Sequence, residues 1–549
     1  LELKNIFPSI INFFFRNTKS ENYIFYFVVI INLIPVLSSK FFPSMDGAAH
    51  LYNSNLINHL ISNSNSPLHQ NFVFNSEILP NWSGHFLLSL LIFISNAFIA
   101  EKILLISLLI LLPVTFRAII QRINSVNSSV SYFVFPFTYS LPFWFGFYNF
   151  SIGLLLLFVT VYFWLTKENS TYKIKDKFIL FVLLCSTYFS HLLVFCLLLI
   201  ILTARILFVE LEKIRTENNS IKTVTIKILN QTILLLFSAA VPLFFTYNYF
   251  LAREDISPQT KLPVQELINW LYKIQPIIAL NESVEQPFTK NIFFVFCAML
   301  LFAVIEKLRF SVHLKNKLVS VKKFIHNSFS SLNFWLLCCI ILLILYFYLP
   351  DEHANASFIS IRIFLLFFLF FILFMASLNH KKTILFLAVF ILLYNHFRLN
   401  FYYTKEAVVL GGVATRINNF APQIEANSVV LPINFSSHWF MGHYSNYLGV
   451  DKPMVILENY EAVQGYFPLD WNRKAMPNLT LANNNSGQVS CLNWETNLTN
   501  KNKKIDYVFI LGVPPDSIHL CENKIFSILK KSYKLVKADR DLKLYKSIN

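Results

Sequence analysis

The stretch Pro43-Ser44-Met45-Asp46-Gly47-Ala48-Ala49-His50-Leu51-Tyr52-Asn53 holds the strongest grouping of reactive side chains in the chain. Asp46 is placed to cap a helix whose apolar residues Leu51, Leu56, Ile57, Leu60 and Ile61 would rest on a membrane. His50 and Asn53 follow at i+4 and i+7, so a carboxylate, an imidazole and an amide share one helical face. Such a face suits proton transfer and hydrogen bonding to a polar substrate. With His353 or Glu352 added, Asp46 and His50 would also suit a divalent metal. The plainer alternative is a helix cap with a polar face.

Three further groups stand out. Arg362 follows Pro350-Asp351-Glu352-His353 and opens an apolar run, where an arginine either anchors the chain at the membrane interface or meets an anionic headgroup. His191, in Thr187-Tyr188-Phe189-Ser190-His191, interrupts a long apolar run, and an ionisable residue there is a functional candidate. The alternative is a turn histidine bonded to a backbone carbonyl. Asn81-Trp82-Ser83-Gly84-His85 reads as an aromatic-belt anchor. The stretch from His438 to Trp471 adds Trp439, His443, Tyr444, Tyr447, Glu458, Tyr460, Glu461, Tyr466 and Asp470. These side chains suit a sugar surface, but a small core or docking face is favoured. No phosphate-cradling glycine loop, His-Glu-x-x-His, Cys-x-x-Cys or Gly-x-Ser-x-Gly occurs.

The elements that position these groups follow from composition. Of 549 residues, 55% are hydrophobic, 17% aromatic and only 14% charged, against about 25% charged in soluble domains. A soluble enzyme and a disordered chain are both excluded. The apolar runs span about 17 to 25 residues without alternation, which suits helices crossing about 30 Å of hydrocarbon and not a β-barrel. The net charge of +16 does not mark a nucleic-acid partner. Residues 1–399 carry 30 basic and 18 acidic groups, mostly in short loops: Lys4–Lys19, Arg117–Arg122, Lys167–Lys177, Glu210–Lys227, Lys307–Lys323 and His380–Lys382. That pattern places these loops in the cytoplasm.

The spacing predicts an all-α bundle over residues 1–399 and a soluble α/β domain over 400–549. A first span at about 23–40 acts as a signal anchor, since no cleavage site follows Tyr23–Leu37. The chain opens on Leu1, so its natural start is expected upstream. An exterior loop, 41–84, carries Asp46. Apolar segments follow at about 85–99, 103–118, 130–145, 149–166, two within 178–208 that turn near His191, then 228–250, 291–306, 332–349, 358–378 and 383–399. A cytoplasmic N-terminus and an exterior C-terminus require an odd number of spans, so one of the twelve is misread between 85 and 145, giving 11 or 13. Val264–Ile274 reads as an interfacial helix. Beyond 400, strands are expected at Ser428–Pro432, Met454–Leu457 and Tyr507–Leu511, with a hairpin turning at Asp539-Arg540-Asp541. Cys491 and Cys521 are free to pair if the domain is exterior. Asn478-Leu479-Thr480 and similar triplets carry little weight as glycosylation sites in an Asn-rich chain.

An acidic residue at the outer boundary of the first span is where a lipid-linked substrate would be met. Asp46 opening the first exterior loop, amphipathic helices after it, many spans and an exterior C-terminal domain together resemble the C-type glycosyltransferases, which use polyprenyl-phosphate-linked sugars. Members typically carry an acidic pair at this place; here Gly47 follows Asp46, and Glu77 is the later candidate for the second carboxylate. The resemblance implies transfer of a sugar to a glycan, lipid or protein acceptor on the outer face of a cytoplasmic (inner) membrane. Asp46 would serve as general base and Arg362 would stabilise the leaving phosphate. His50, Asn53, His191 and His353 would contact substrate. Asp46, His191 and Arg362 are expected to line one exterior cavity. A divalent metal remains open as a cofactor, and nucleic acid is excluded as a partner. The other classes consistent with the sequence are a transporter or flippase of lipid-linked saccharides and a non-catalytic envelope assembly protein.

Overall fold

The computed structural model describes residues 18–168, 170–216, 220–251, 260–313, 334–353, 356–476, 504–514 and 520–548. Among them, eight helical stretches are long and apolar enough to cross a membrane: Lys19–Leu37, Ala97–Thr138, Tyr148–Lys167, Leu192–Lys213, Ile221–Leu251, Glu282–Glu306, Ile359–Ser377 and Lys382–Gln423. Ser83–Ile94 and Phe334–Tyr348 are shorter apolar helices. The chain is a multi-pass membrane protein with fewer full-length spans than the expected 11 or 13 among the described residues.

The difference arises where the sequence was ambiguous. Ser83–Ile94 has 12 residues, about 18 Å of helix, too short to cross. The expected segment at 130–145 is broken. A 3-10 stretch, Ser125–Val134, kinks at Asn127, and two four-residue helices follow, Phe135–Thr138 and Leu141–Trp144. Asn127 holds that kink by donating to the carbonyls of Ala376 and Leu378. The run at 178–208 is two helices, Ile174–Ser190 and Leu192–Thr216, with an extended residue at His191, as the apolar length required.

Contacts divide the chain into two interleaved units. A helical unit comprises 1–34, 108–143 and 150–402, and a mixed unit comprises 35–107, 144–149 and 403–549. The helix Lys382–Asn418 runs through residue 400 without a break.

In the helical unit, Ile359–Ser377 is the central helix, buried along nearly its whole length. Arg117, expected in a loop, lies on the helix Ala97–Asn124. Its guanidinium reaches the Glu21 carboxylate at 3.0 Å, Ser131 Oγ at 3.1 Å and the ring of Phe25. Val264–Lys273 is helical as expected, with Val264 and Ile268 exposed and Leu267 buried.

The mixed unit contains two sheets. β1 (Phe72–Phe74) pairs antiparallel with β4 (Leu469–Trp471), matching Phe72 to Trp471, so the Asp46-bearing loop is bonded to the C-terminal region. The larger sheet has the order β3-β2-β5-β7-β6, formed by β2 (Val429–Asn434), β3 (Val455–Ile456), β5 (Tyr507–Leu511), β6 (Tyr533–Asp539) and β7 (Leu542–Ser547). β3, β2 and β5 are parallel, and β5, β7 and β6 antiparallel. Pro432 is tolerated because β3 pairs only with Val429 and Val430, leaving β2 with one neighbour at the proline. The hairpin turns at Arg540, which takes φ 55°. Cys491 and the side chain of Cys521 lie outside the described residues, as do Asn478, Leu479 and Thr480.

The Glu21–Arg117 pair sets a test of the helical unit. Glu21→Ala leaves a buried guanidinium without its carboxylate and is expected to cost about 3–5 kcal/mol in detergent–SDS unfolding. Adding Arg117→Leu should recover most of the loss; a double variant no more stable than the single one would refute the assignment.

Candidate active site

Asp46 lies in a turn that two glycines allow to form. Met45 and Asp46 donate their backbone N–H groups to the carbonyls of Trp144 and Phe145, at 3.2 and 2.9 Å. This crossing brings Gly146, at φ +79°, against the Asp46 turn: a Cβ on Gly146 would lie 2.7 Å from the backbone nitrogen of Gly47. A Cβ on Gly47 would lie 2.2 Å from Ser44 Oγ and 2.5 Å from the Tyr148 hydroxyl. Glu101, fully buried, fixes the turn from behind. One of its oxygens accepts the Phe42 N–H at 2.9 Å and the other accepts the Tyr148 hydroxyl at 2.9 Å.

Asp46 stands at the cap position of the helix Gly47–Ser62, yet its carboxylate makes no cap bond. It faces His443 instead, with Oδ1 3.7 Å from Nε2, and accepts a hydrogen bond from Tyr460. The Tyr460 ring lies on the His443 ring, their centroids 4.3 Å apart. His443 Nδ1 bonds the Glu458 carboxylate, whose other oxygen accepts from Ser445 Oγ at 2.7 Å and Asn446 Nδ2 at 2.6 Å. Burial raises the Asp46 pKa more than the neighbouring His443 and His50 lower it, so the group sits above the ordinary carboxylate range. For His443 the balance reverses. Burial disfavours its charge, but the Glu458 carboxylate outweighs burial and holds the imidazolium up to about 9.

A second cluster lies on the same helix. His50 Nδ1 is 2.7 Å from one oxygen of Glu461, and His85 Nε2 is 2.7 Å from the other. Asn53 Nδ2 donates to Glu461 Oε2 at 2.7 Å and exchanges two further amide hydrogen bonds with Asn459, at 2.9 and 2.7 Å. His85 enters from the helix Ser83–Ile94, whose Gly84 N–H donates to Asn149 Oδ1 at 2.7 Å. Burial alone would raise the Glu461 carboxyl, but the His85 and His50 imidazoles outweigh it and bring it down to about 2.

Asp46, His50 and Asn53 therefore lie in the mixed unit with His85, His443, Glu458 and Glu461, and Asp46 is not part of the His50 cluster. These partners come from segments remote in sequence. Spacing makes His85 part of a belt anchor and the His438–Trp471 stretch a small core or docking face, because nothing in it ties residue 50 to residue 461. Glu77 is exposed and its backbone N–H caps onto Asn75 Oδ1, so it supplies no second carboxylate here.

His191 and Arg362 come together in the helical unit. Arg362 Nη1 is 3.3 Å from His191 Nε2, and its guanidinium lies over the Phe150 ring at 5.7 Å. Gly153 makes room, since a Cβ there would be 3.2 Å from His191 Cβ. His353 is exposed and bridges backbone to backbone with Ala356, while the Glu352 carboxylate accepts the Thr260 hydroxyl at 2.8 Å. Glu352 and His353 belong to the helical unit, and Asp46 and His50 to the mixed unit. The expected common cavity concerns residues of both units.

No protein-family model matches the sequence. No curated protein matches it either. Among solved structures, the chain is similar to the crystal structure of ArnT from Cupriavidus metallidurans in the apo state. The TM-score is 0.50, the identity 9%, and the match covers 96% of this chain and 98% of that one. The likeness extends along the whole chain and is one of fold, in agreement with the fold that the sequence resemblance implied.

The His443–Glu458 pair makes stability depend on pH. Because the folded His443 pKa, about 9, lies above its ordinary value of about 6.5, the pairing contributes fully below pH 6.5 and is lost as pH rises through 9. Between pH 6.5 and 9.5 the wild-type protein should lose up to about 3 kcal/mol of stability from this group. The His443→Asn variant should lose that slope in thermal unfolding; an unchanged slope would show that another group titrates.

Proposed function

We propose that the chain is an integral-membrane glycosyltransferase that moves a sugar from a polyprenyl-phosphate donor to a glycan, lipid or protein acceptor on the outer face of a cytoplasmic membrane. The observation that carries this reading is the Asp46 carboxylate, which is buried, is not used as a helix cap, and faces His443 and Tyr460 in a chain with a C-type fold.

In this reading the acceptor hydroxyl oxygen attacks the anomeric carbon, the bond from that carbon to the phosphate oxygen breaks, and the hydroxyl proton passes to Asp46. A base must be ionised to accept it. Burial opposes ionisation of Asp46, and the His443 imidazolium and the Tyr460 hydroxyl favour it. The result is a carboxylate more basic than a solvated one, which suits removal of a proton from a weakly acidic alcohol. His443 thus orients and tunes the base without becoming its proton acceptor, since it is already protonated at neutral pH.

We assign the phosphate of the lipid carrier to Arg362. Its guanidinium is buried on the opening turn of Ile359–Ser377, steadied by Phe150 and His191. A fixed guanidinium stabilises phosphate charge by charge-assisted hydrogen bonds. On this orientation the N-terminus is cytoplasmic and the mixed unit's C-terminal part is extracytoplasmic.

Purified protein given radiolabelled polyprenyl-phosphate sugars and membrane lipid extract should transfer label. Asp46→Asn should lower the rate by about 10²–10⁴-fold with a normal melting temperature, and Arg362→Ala should weaken donor use. Absence of transfer with every donor, together with protein-dependent movement of labelled lipid across liposomes, would replace this reading with a flippase.

A further inference from the structure

His50, His85 and Glu461 come from three segments that are remote in sequence, yet their ligand atoms lie within 4.8 Å of one another. All three residues are buried, at 4%, 0% and 1% exposure. Nothing in the transfer chemistry above uses them. Two imidazoles and a carboxylate turned inward on one point are an uncommon core, because each brings a polar head that must be satisfied away from water.

We propose that His50, His85 and Glu461 bind one divalent transition-metal ion of the zinc class. The donor set of two imidazole nitrogens and one carboxylate is that of a three-ligand zinc site with a fourth position open. Geometry agrees. Tetrahedral bonds of about 2.0–2.1 Å separate two ligand nitrogens by about 3.4 Å, and His50 Nδ1 lies 3.4 Å from His85 Nε2. The two nitrogen–oxygen distances, 2.7 Å each, are those of hydrogen bonds, so protons occupy the metal's place between donors. Metal binding expels those protons and opens the carboxylate by a fraction of an ångström. The surroundings also suit a metal. Asn53 holds Glu461 in orientation and is itself fixed by Asn459, and the His50 ring donates to the Gly146 carbonyl, which sets its tautomer. Nitrogen-rich donors select against magnesium and calcium, which prefer all-oxygen sets.

Bound metal would tie the helix Gly47–Ser62 to the helix Ser83–Ile94 and to residue 461, one helical turn from Asp46. The site stands independently of the transferase reading, because its readout is metal content. Full-length protein purified in detergent, stripped with chelator and titrated with Zn²⁺ should bind one equivalent and gain thermal stability. Co²⁺ should give the visible absorption of a four-coordinate site. His85→Ala should abolish both responses. Asn53→Ala, which keeps all three ligands, should weaken zinc binding by about 10–100-fold. If His85→Ala does not fold, the wild-type Co²⁺ spectrum and the Asn53→Ala affinity decide. Stripped wild-type protein that neither binds stoichiometric Zn²⁺ nor gives a four-coordinate Co²⁺ spectrum overturns the proposal, as does a folded His85→Ala that still does so.

Discussion

The crossing of the Asp46 turn with residues 144–146 is the constraint on which the mixed unit's polar cluster depends. Two backbones approach closely enough to exchange hydrogen bonds from Met45 and Asp46 only because Gly146 and Gly47 carry no Cβ. Positive φ at Gly146 makes the turn accessible to glycine and strained for other residues. Glu101 then satisfies the Phe42 N–H and orders Tyr148, whose ring lies against His50 at 5.3 Å. A rigid turn is what allows Asp46 to leave the helix cap and point elsewhere.

Around that turn, charge is arranged in alternation. Asp46 faces His443, which faces Glu458; His50 and His85 share Glu461. Buried ion pairs recover their desolvation cost only when the remaining polar atoms are also bonded. Here Ser445 and Asn446 both donate to the second oxygen of Glu458, and Asn53 donates to Oε2 of Glu461. The packing is consistent with this polarity: Tyr52 donates its hydroxyl to the Met454 carbonyl at 2.8 Å and accepts the Ile456 N–H at 3.0 Å, locking the Gly47–Ser62 helix to β3.

What was legible in the sequence tracks how local the signal was. Hydrophobic length gave the membrane helices and the break at His191, amphipathic spacing gave the helix Val264–Lys273, and turn chemistry gave the β6–β7 hairpin, because each is set by neighbouring residues. The i+4 and i+7 spacing put His50 and Asn53 on one face. Partners contributed by residues 443 to 461 are four hundred positions away, and no periodicity encodes that pairing. The segment expected at 130–145 is broken for a related reason. Its composition is apolar enough for a span, and the kink at Asn127 depends on carbonyls of residues 376 and 378.

The resemblance to C-type enzymes left one departure, the glycine that follows Asp46 where an acidic pair is usual. Space accounts for it. Any side chain at position 47 would drive its Cβ into Ser44 and Tyr148, so the turn that positions Asp46 excludes a second carboxylate beside it. Negative charge reaches this region from another part of the chain: Glu458 acts on Asp46 through His443, and Glu461 through its field and through His50. The consequence is chemical as well as geometric. Two adjacent carboxylates would repel and invite a hard cation between them, whereas one carboxylate backed by an imidazolium is neutralised by the protein itself. The proposed base is tuned by a histidine, and the donor set suited to a metal is displaced one helical turn along, onto His50.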